Sequence, residues 1–208
     1  MTAIKHTFRA EHNPTNQELH CLWSTLTDKA HEQNHDWEFK VEANNKLVSI
    51  TSDKEIPAQD VELESNRFVY LRSKTVKSFE FENGQFVRLQ GTISYSVRGS
   101  ADGKDYCPVD GYGQLKEEFG KKFLQYLSKS TGVDFERAAE SEMLHFSFDS
   151  EMQSGKKVWL NDIIIFDATS NVVDSQKLNS LSYCAIGRRK SFGLGNVVVA
   201  ESESCEVE

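Results

Sequence analysis

On either side of the Asn83-Gly84 turn signal the chain repeats one order of elements: strand, helix, strand, strand, helix, strand. In the first half, residues 4–10 predict a strand. Thr15-Asn16-Gln17-Glu18 is a Thr-x-x-Glu capping box that opens a helix running to about Ala30. Leu19, Leu22, Trp23, Leu26 and Ala30 recur at i, i+3, i+4 and i+7, which makes one core-facing stripe. Residues 37–41 alternate with period two and pair with 47–51 as a hairpin; 57–63 predict a short second helix and 67–81 a strand. The second half opens with a long strand over 86–98 that sets Val87, Leu89, Ile93, Tyr95 and Val97 on one face. A polar, glycine-rich connection over 99–113 leads to a helix carrying Leu115, Phe119, Phe123, Tyr126 and Leu127, with Gly132 as its stop. Residues 143–148 turn through 150–155 into 156–166 as a hairpin, 175–183 predict a short helix, and 197–200 are the last strand.

That order, read once, is the ferredoxin-like or RRM-like plait, in which four antiparallel strands carry both helices on one face. The expected fold is therefore α+β, with two tandem βαββαβ domains over residues 1–83 and 84–208. With 38% hydrophobic and 11% aromatic residues in 208, the chain has apolar material for a folded core. No run approaches the roughly 18 apolar residues of a membrane span, and residues 1–9 lack the apolar core of a secretion signal, so a cytoplasmic location is expected. Cys21, Cys107, Cys184 and Cys205 show neither CxxC pairing nor zinc spacing and read as reduced thiols. His31 and His35, near Glu32 and Asp36, read as a solvated helix end rather than a metal site, so no metal and no small-molecule cofactor is expected.

Near the end, three glycines and three consecutive cations share one loop, Gly187-Arg188-Arg189-Lys190-Ser191-Phe192-Gly193-Leu194-Gly195. Glycines let a backbone bend sharply, and cations beside exposed N–H groups make a concavity for phosphates. The loop precedes a strand instead of opening a helix, so it is neither a dinucleotide fingerprint nor a P-loop. Its bland alternative is a glycine-rich loop with a solvated basic tip. A net charge of −8, from 32 acidic and 24 basic residues, counts against a broad nonspecific nucleic-acid surface, so any polyanion site must be local.

His20 lies beside the apolar stripe of the first helix, at the edge where the helix leaves the core. Histidine exchanges protons near neutral pH, as general acid–base catalysis requires, although a histidine at a helix edge is more often a structural or surface residue. Lys156 and Lys157 follow a glycine at the start of a strand, which taken alone reads as a solvated basic tip. Phe79, Phe81, Phe86 and Tyr95 offer stacking faces to bases, but alternating strand aromatics more often belong to the core.

The two plaits, Leu19-His20-Cys21-Leu22-Trp23 in the first helix, the strand ending Tyr95-Ser96-Val97-Arg98, and Ile186 to Gly195 together resemble the CRISPR-associated endoribonucleases that cut repeat RNA, in particular the CasE branch. The likeness spans nearly the whole chain. It implies a catalytic role for His20, with Lys157 assisting, and contacts to repeat RNA from Arg188, Arg189, Lys190, Lys156, Arg98 and Gln17. It also implies other effector-complex subunits as partners. One departure is Gln17, which stands one turn before the histidine where such proteins usually carry a tyrosine; it can hydrogen-bond a phosphate but cannot transfer a proton. The function implied is metal-independent cleavage at the 3′ base of the repeat stem by 2′-OH attack, giving mature guide RNA. The alternatives are a noncatalytic RNA-binding subunit of such a complex and a protein-interaction module with no RNA ligand.

Overall fold

The computed structural model describes residues 2–26, 39–53, 67–98, 104–148, 153–154, 158–159 and 163–202. The first half forms an antiparallel sheet from β1 (Thr2–Ala10), β2 (Phe39–Asn44), β3 (Leu47–Ser52) and β4 (Phe68–Lys77), in the order β2-β3-β1-β4. Helix α1 (Asn16–Leu26) packs on one face. The capping box closes in both directions: Thr15 N–H donates to Glu18 Oε2 at 2.8 Å and Glu18 N–H to Thr15 Oγ1 at 3.3 Å. The predicted stripe is the buried one, Leu19, Leu22, Trp23 and Leu26, packed with Phe8, Val41, Val48 and Ile50; Phe39 stacks on Trp23 at 3.7 Å. The predicted helix at 57–63 and the stretch beyond Leu26 lie outside the described residues.

The second half repeats the plan with β5 (Phe86–Ser94), α2 (Glu117–Thr131), β8 (Leu144–Phe148), β11 (Ile163–Asn171), α4 (Ser175–Ser180) and β12 (Val197–Glu201). The sheet order is β12-β5-β11-β8, every neighbour antiparallel. Each sheet thus sets its first and third strands at the centre, and the fold is α+β with two tandem ferredoxin-like plaits. Helix α2 ends at Gly132, whose φ of 75° lets its N–H bond back to Ser128 C=O.

Four details depart from the sequence expectation. The strand predicted over 86–98 breaks at Ser94, because Tyr95 turns aside to stack on Tyr126 at 4.3 Å; Val97–Arg98 (β6) then pairs with Asp105–Tyr106 (β7). The strand predicted over 67–81 ends at Lys77, because Phe79 and Phe81 are drawn into the second core and Asn179 satisfies the backbone of Phe81 in both directions. The helix α3 (Phe135–Glu140), capped by Asp134 and anchored by buried Phe135 and Ala138, was not predicted. The strand expected over 156–166 runs on to Asn171 as β11; of its first part only β10 (Val158–Trp159), paired with β9 (Gln153–Ser154), falls within the described residues.

Candidate active site

The glycine loop is stitched to both plaits. On the second, Ile186 N–H bonds to Gly195 C=O at 2.9 Å, Gly195 N–H to Thr92 C=O at 2.8 Å and Arg188 N–H to Ser94 C=O at 2.9 Å. On the first, Ala185 N–H bonds to Phe39 C=O at 2.9 Å, and the Asn196 side-chain amide donates to Val41 C=O at 2.7 Å. Gly195, at φ 85°, is where the two limbs of the loop meet: a Cβ there would stand 1.9 Å from Ile186 O. A left-handed backbone and that approach leave room for hydrogen only.

At the loop's crest Lys190–Phe192 form one 3-10 turn, entered by Arg189 at φ 59° and packed against α1 and β2. The turn delivers Ser191 to His20, with Oγ 2.8 Å from Nδ1 although the two stand 171 positions apart in sequence. The bond orients the imidazole and links its two nitrogens through the tautomer. If Ser191 donates, Nδ1 is unprotonated and Nε2 carries a proton to give; if Nδ1–H donates, Nε2 is a base. Ser191 escaped the sequence reading, where it was one small residue inside a motif valued for its charges.

The three consecutive cations part company. Arg188 is exposed, and its Nη1 donates to Ser96 Oγ at 2.7 Å and reaches Asp105 Oδ2 at 3.4 Å. Arg189 turns inward, its Nη1 bonding the hydroxyl of buried Ser94 at 2.8 Å. Lys190 is half-buried at the head of the 3-10 turn. Arg98 stands opposite Asp105 in the β6–β7 backbone register, and the Asp105 carboxylate receives Arg188. Gln17 points along α1 to Cys21 Sγ at 3.6 Å. Lys156 and Lys157, with His31 and His35, lie outside the described residues.

Two tyrosines underpin the loop. Gly187 N–H donates to Tyr126 Oη at 2.7 Å, and burial raises the pKa of both Tyr126 and its stacking partner Tyr95, keeping the phenols neutral. Phe79, Phe81 and Tyr95 pack against the core, though from outside the strands in which they were expected. Among the described residues no three His, Cys, Asp or Glu side chains gather as a metal site, and no helix is long and apolar enough to cross a membrane.

No protein-family model matches the chain, and no curated protein does. Among solved structures, a CRISPR endoribonuclease Cse3 bound to a 19-nucleotide RNA aligns with 96% of this chain and 100% of its own, at TM-score 0.62 and 15% identity. The chain has the Cse3 fold. Thermus thermophilus Cse3, bound to an RNA representing a pre-cleavage complex, aligns over 94% of this chain and 98% of its own at TM-score 0.55 and 15% identity. A chain of a CRISPR RNA-guided surveillance complex aligns over 96% and 100% at TM-score 0.50 and 14% identity. At such identities it is architecture that is shared, so the chemistry of this Cse3-like chain rests on its own side chains.

Proposed function

We propose that the protein is a metal-independent endoribonuclease that binds the stem-loop of CRISPR repeat RNA and cuts at the 3′ base of the stem. The observation that carries this reading is the His20–Ser191 contact at 2.8 Å, which sets a proton-exchanging group where helix α1 meets the basic loop. The ribose 2′-OH attacks the adjacent phosphorus in line; the P–O5′ bond breaks, leaving a 2′,3′-cyclic phosphate and a 5′-hydroxyl. His20 removes the 2′ proton or protonates the departing 5′ oxygen. Arg188 and Lys190 contact the stem backbone, Arg98 adds to them, and Gln17 donates to a phosphate. Lys156 and Lys157 complete the set, Lys157 opposing charge on the phosphorane. The first plait, 1–83, contributes the histidine and the second, 84–208, the loop. The protein acts in the cytoplasm and stays on the 3′ hairpin of its product as a subunit of an effector complex.

The test is purified protein with a panel of repeat RNAs in EDTA. Cleavage at one site, blocked by a 2′-deoxy substitution 5′ of the cut and lowered roughly 10²–10⁴-fold by His20→Ala with affinity retained, is the expected result. Full activity in His20→Ala removes the mechanism. Gln17 favours a second reading, a noncatalytic RNA-binding subunit, because this side chain has no proton to transfer and turns to Cys21. Tight binding to one repeat without any product would establish that reading instead.

A further inference from the structure

The face of the first sheet turned away from α1 carries an unbalanced row of cations. The register sets Lys74 of β4 opposite Lys5 of β1 and Arg72 opposite Thr7, with Arg9 two residues further along the same face. Like charges directly opposite across a ladder destabilise it, so the Lys5–Lys74 pair is a feature the fold alone does not favour. Lys5 relieves it by turning to Glu42 of β2 at 3.2 Å, and the same carboxylate is already held by Lys40 at 3.1 Å. Arg9, Arg72 and Lys74 are exposed, and among the described residues no carboxylate pairs with any of them. All this sits on a chain whose net charge is −8.

Side chains on one face of a strand recur about every 6.6–6.8 Å, so the three cations follow the β1–β4 seam in single file. One file of charges suits one phosphate backbone, whereas a duplex presents two. The seam also borders the sheet's edge, since β4 has no outer partner among the described strands. We propose that this face binds a single-stranded segment of the RNA lying outside the hairpin, with Arg9, Arg72 and Lys74 on its phosphates. The proposal rests on the reading that the protein binds repeat RNA, and it adds a second surface on the opposite side of the sheet from His20.

The experiment compares a bare repeat hairpin, the same hairpin with a single-stranded extension of about eight nucleotides, and the extension alone, a length within the range of single-strand sites. Each is titrated at 50–200 mM salt. Three added phosphate contacts steepen the salt slope by about 2, so the extended RNA loses roughly 20-fold more affinity than the bare hairpin over that range. Arg9→Ser, Arg72→Ser and Lys74→Ser together abolish this difference and leave bare-hairpin binding unchanged. Arg72→Gln with Lys74→Gln, which leaves the central strand β1 intact, removes about two thirds of it. Equal slopes for bare and extended RNA in the wild type overturn the proposal, as does a variant that weakens both RNAs equally. Charge-dependent retention of polyglutamate in place of the extension assigns the surface to an acidic protein and also overturns it. Failure of the bare hairpin to bind or be cut strikes the proposed function instead; binding of the extension alone, lost in the variant, still supports this surface.

Discussion

Gly195→Ala measures how tightly the loop is drawn together. The new Cβ would lie 1.9 Å from Ile186 O and 2.9 Å from Ile186 N and C. No rotamer moves a Cβ, so the two limbs must part. The bonds from Ile186 N–H to Gly195 C=O and from Gly195 N–H to Thr92 C=O, 2.9 and 2.8 Å, then go. Left-handed backbone costs a non-glycine residue about 1–2 kcal/mol, and two such bonds contribute about 0.5–1.5 kcal/mol each, so the loss is about 2–5 kcal/mol. Gly84→Ala is the internal reference: φ is 87° there too, but nothing stands within 4 Å of the added methyl, which leaves the backbone cost of about 1–2 kcal/mol alone. Urea unfolding followed by tryptophan fluorescence reads both. In thermal melts, where 1 kcal/mol moves the midpoint by about 2–4 °C at this size, Gly84→Ala falls by about 2–8 °C and Gly195→Ala by about 4–20 °C. Gly195→Ala also lowers RNA cleavage beyond Gly84→Ala, since the loop carries Ser191. Equal stability losses in the two variants would refute the close approach at residue 195.

Ser191→Ala removes the anchor of His20, so single-turnover cleavage at saturating RNA slows roughly 3–10-fold, the equivalent of one hydrogen bond, with affinity unchanged. Arg188→Ala leaves the melting temperature in place and lowers the salt slope of RNA binding by about 0.7–0.9, whereas Arg189→Ala destabilises the fold by loosening the loop from Ser94. Glu18 is pushed up by burial but held below the ordinary carboxylate range by hydrogen bonds from Thr15 and Arg67 and by the charge of His12. Its folded pKa being depressed, its contribution is complete above the unfolded value and disappears as pH falls through the folded one. Thermal melts from pH 6 to 2.5 therefore show a shallower acid limb for Glu18→Gln than for the wild type, from a lower starting point at pH 6.

Local signals in the sequence carried most of the architecture. The Thr15–Glu18 box, the Leu19–Trp23 stripe and the stop at Gly132 each depend on residues a turn or two apart, and each forms as read. Helix α3 was missed because six residues give too little periodicity to outweigh the acidic composition of 136–142. The breaks at Ser94 and Lys77 were illegible for a different reason: Tyr95 leaves the strand for Tyr126, and Phe81 for Asn179, partners far away in sequence. The site shows the same division. His20 stood out by its chemistry, but its partner at Ser191 has no local signature, and nothing in Arg188-Arg189-Lys190 announces that the middle cation faces Ser94.

The contact between His20 and Ser191 also fixes when, in the life of each molecule, the site comes into being. The histidine is translated 171 residues before the serine. At about 5–20 residues per second, roughly 9–34 s separate them. During that interval β1 through β4 leave the ribosome, while the crest that fastens the imidazole has yet to be made. A nascent chain on the polysome thus carries the histidine without its Ser191 contact, and a message broken anywhere upstream of codon 191 yields only a chain that can never make it.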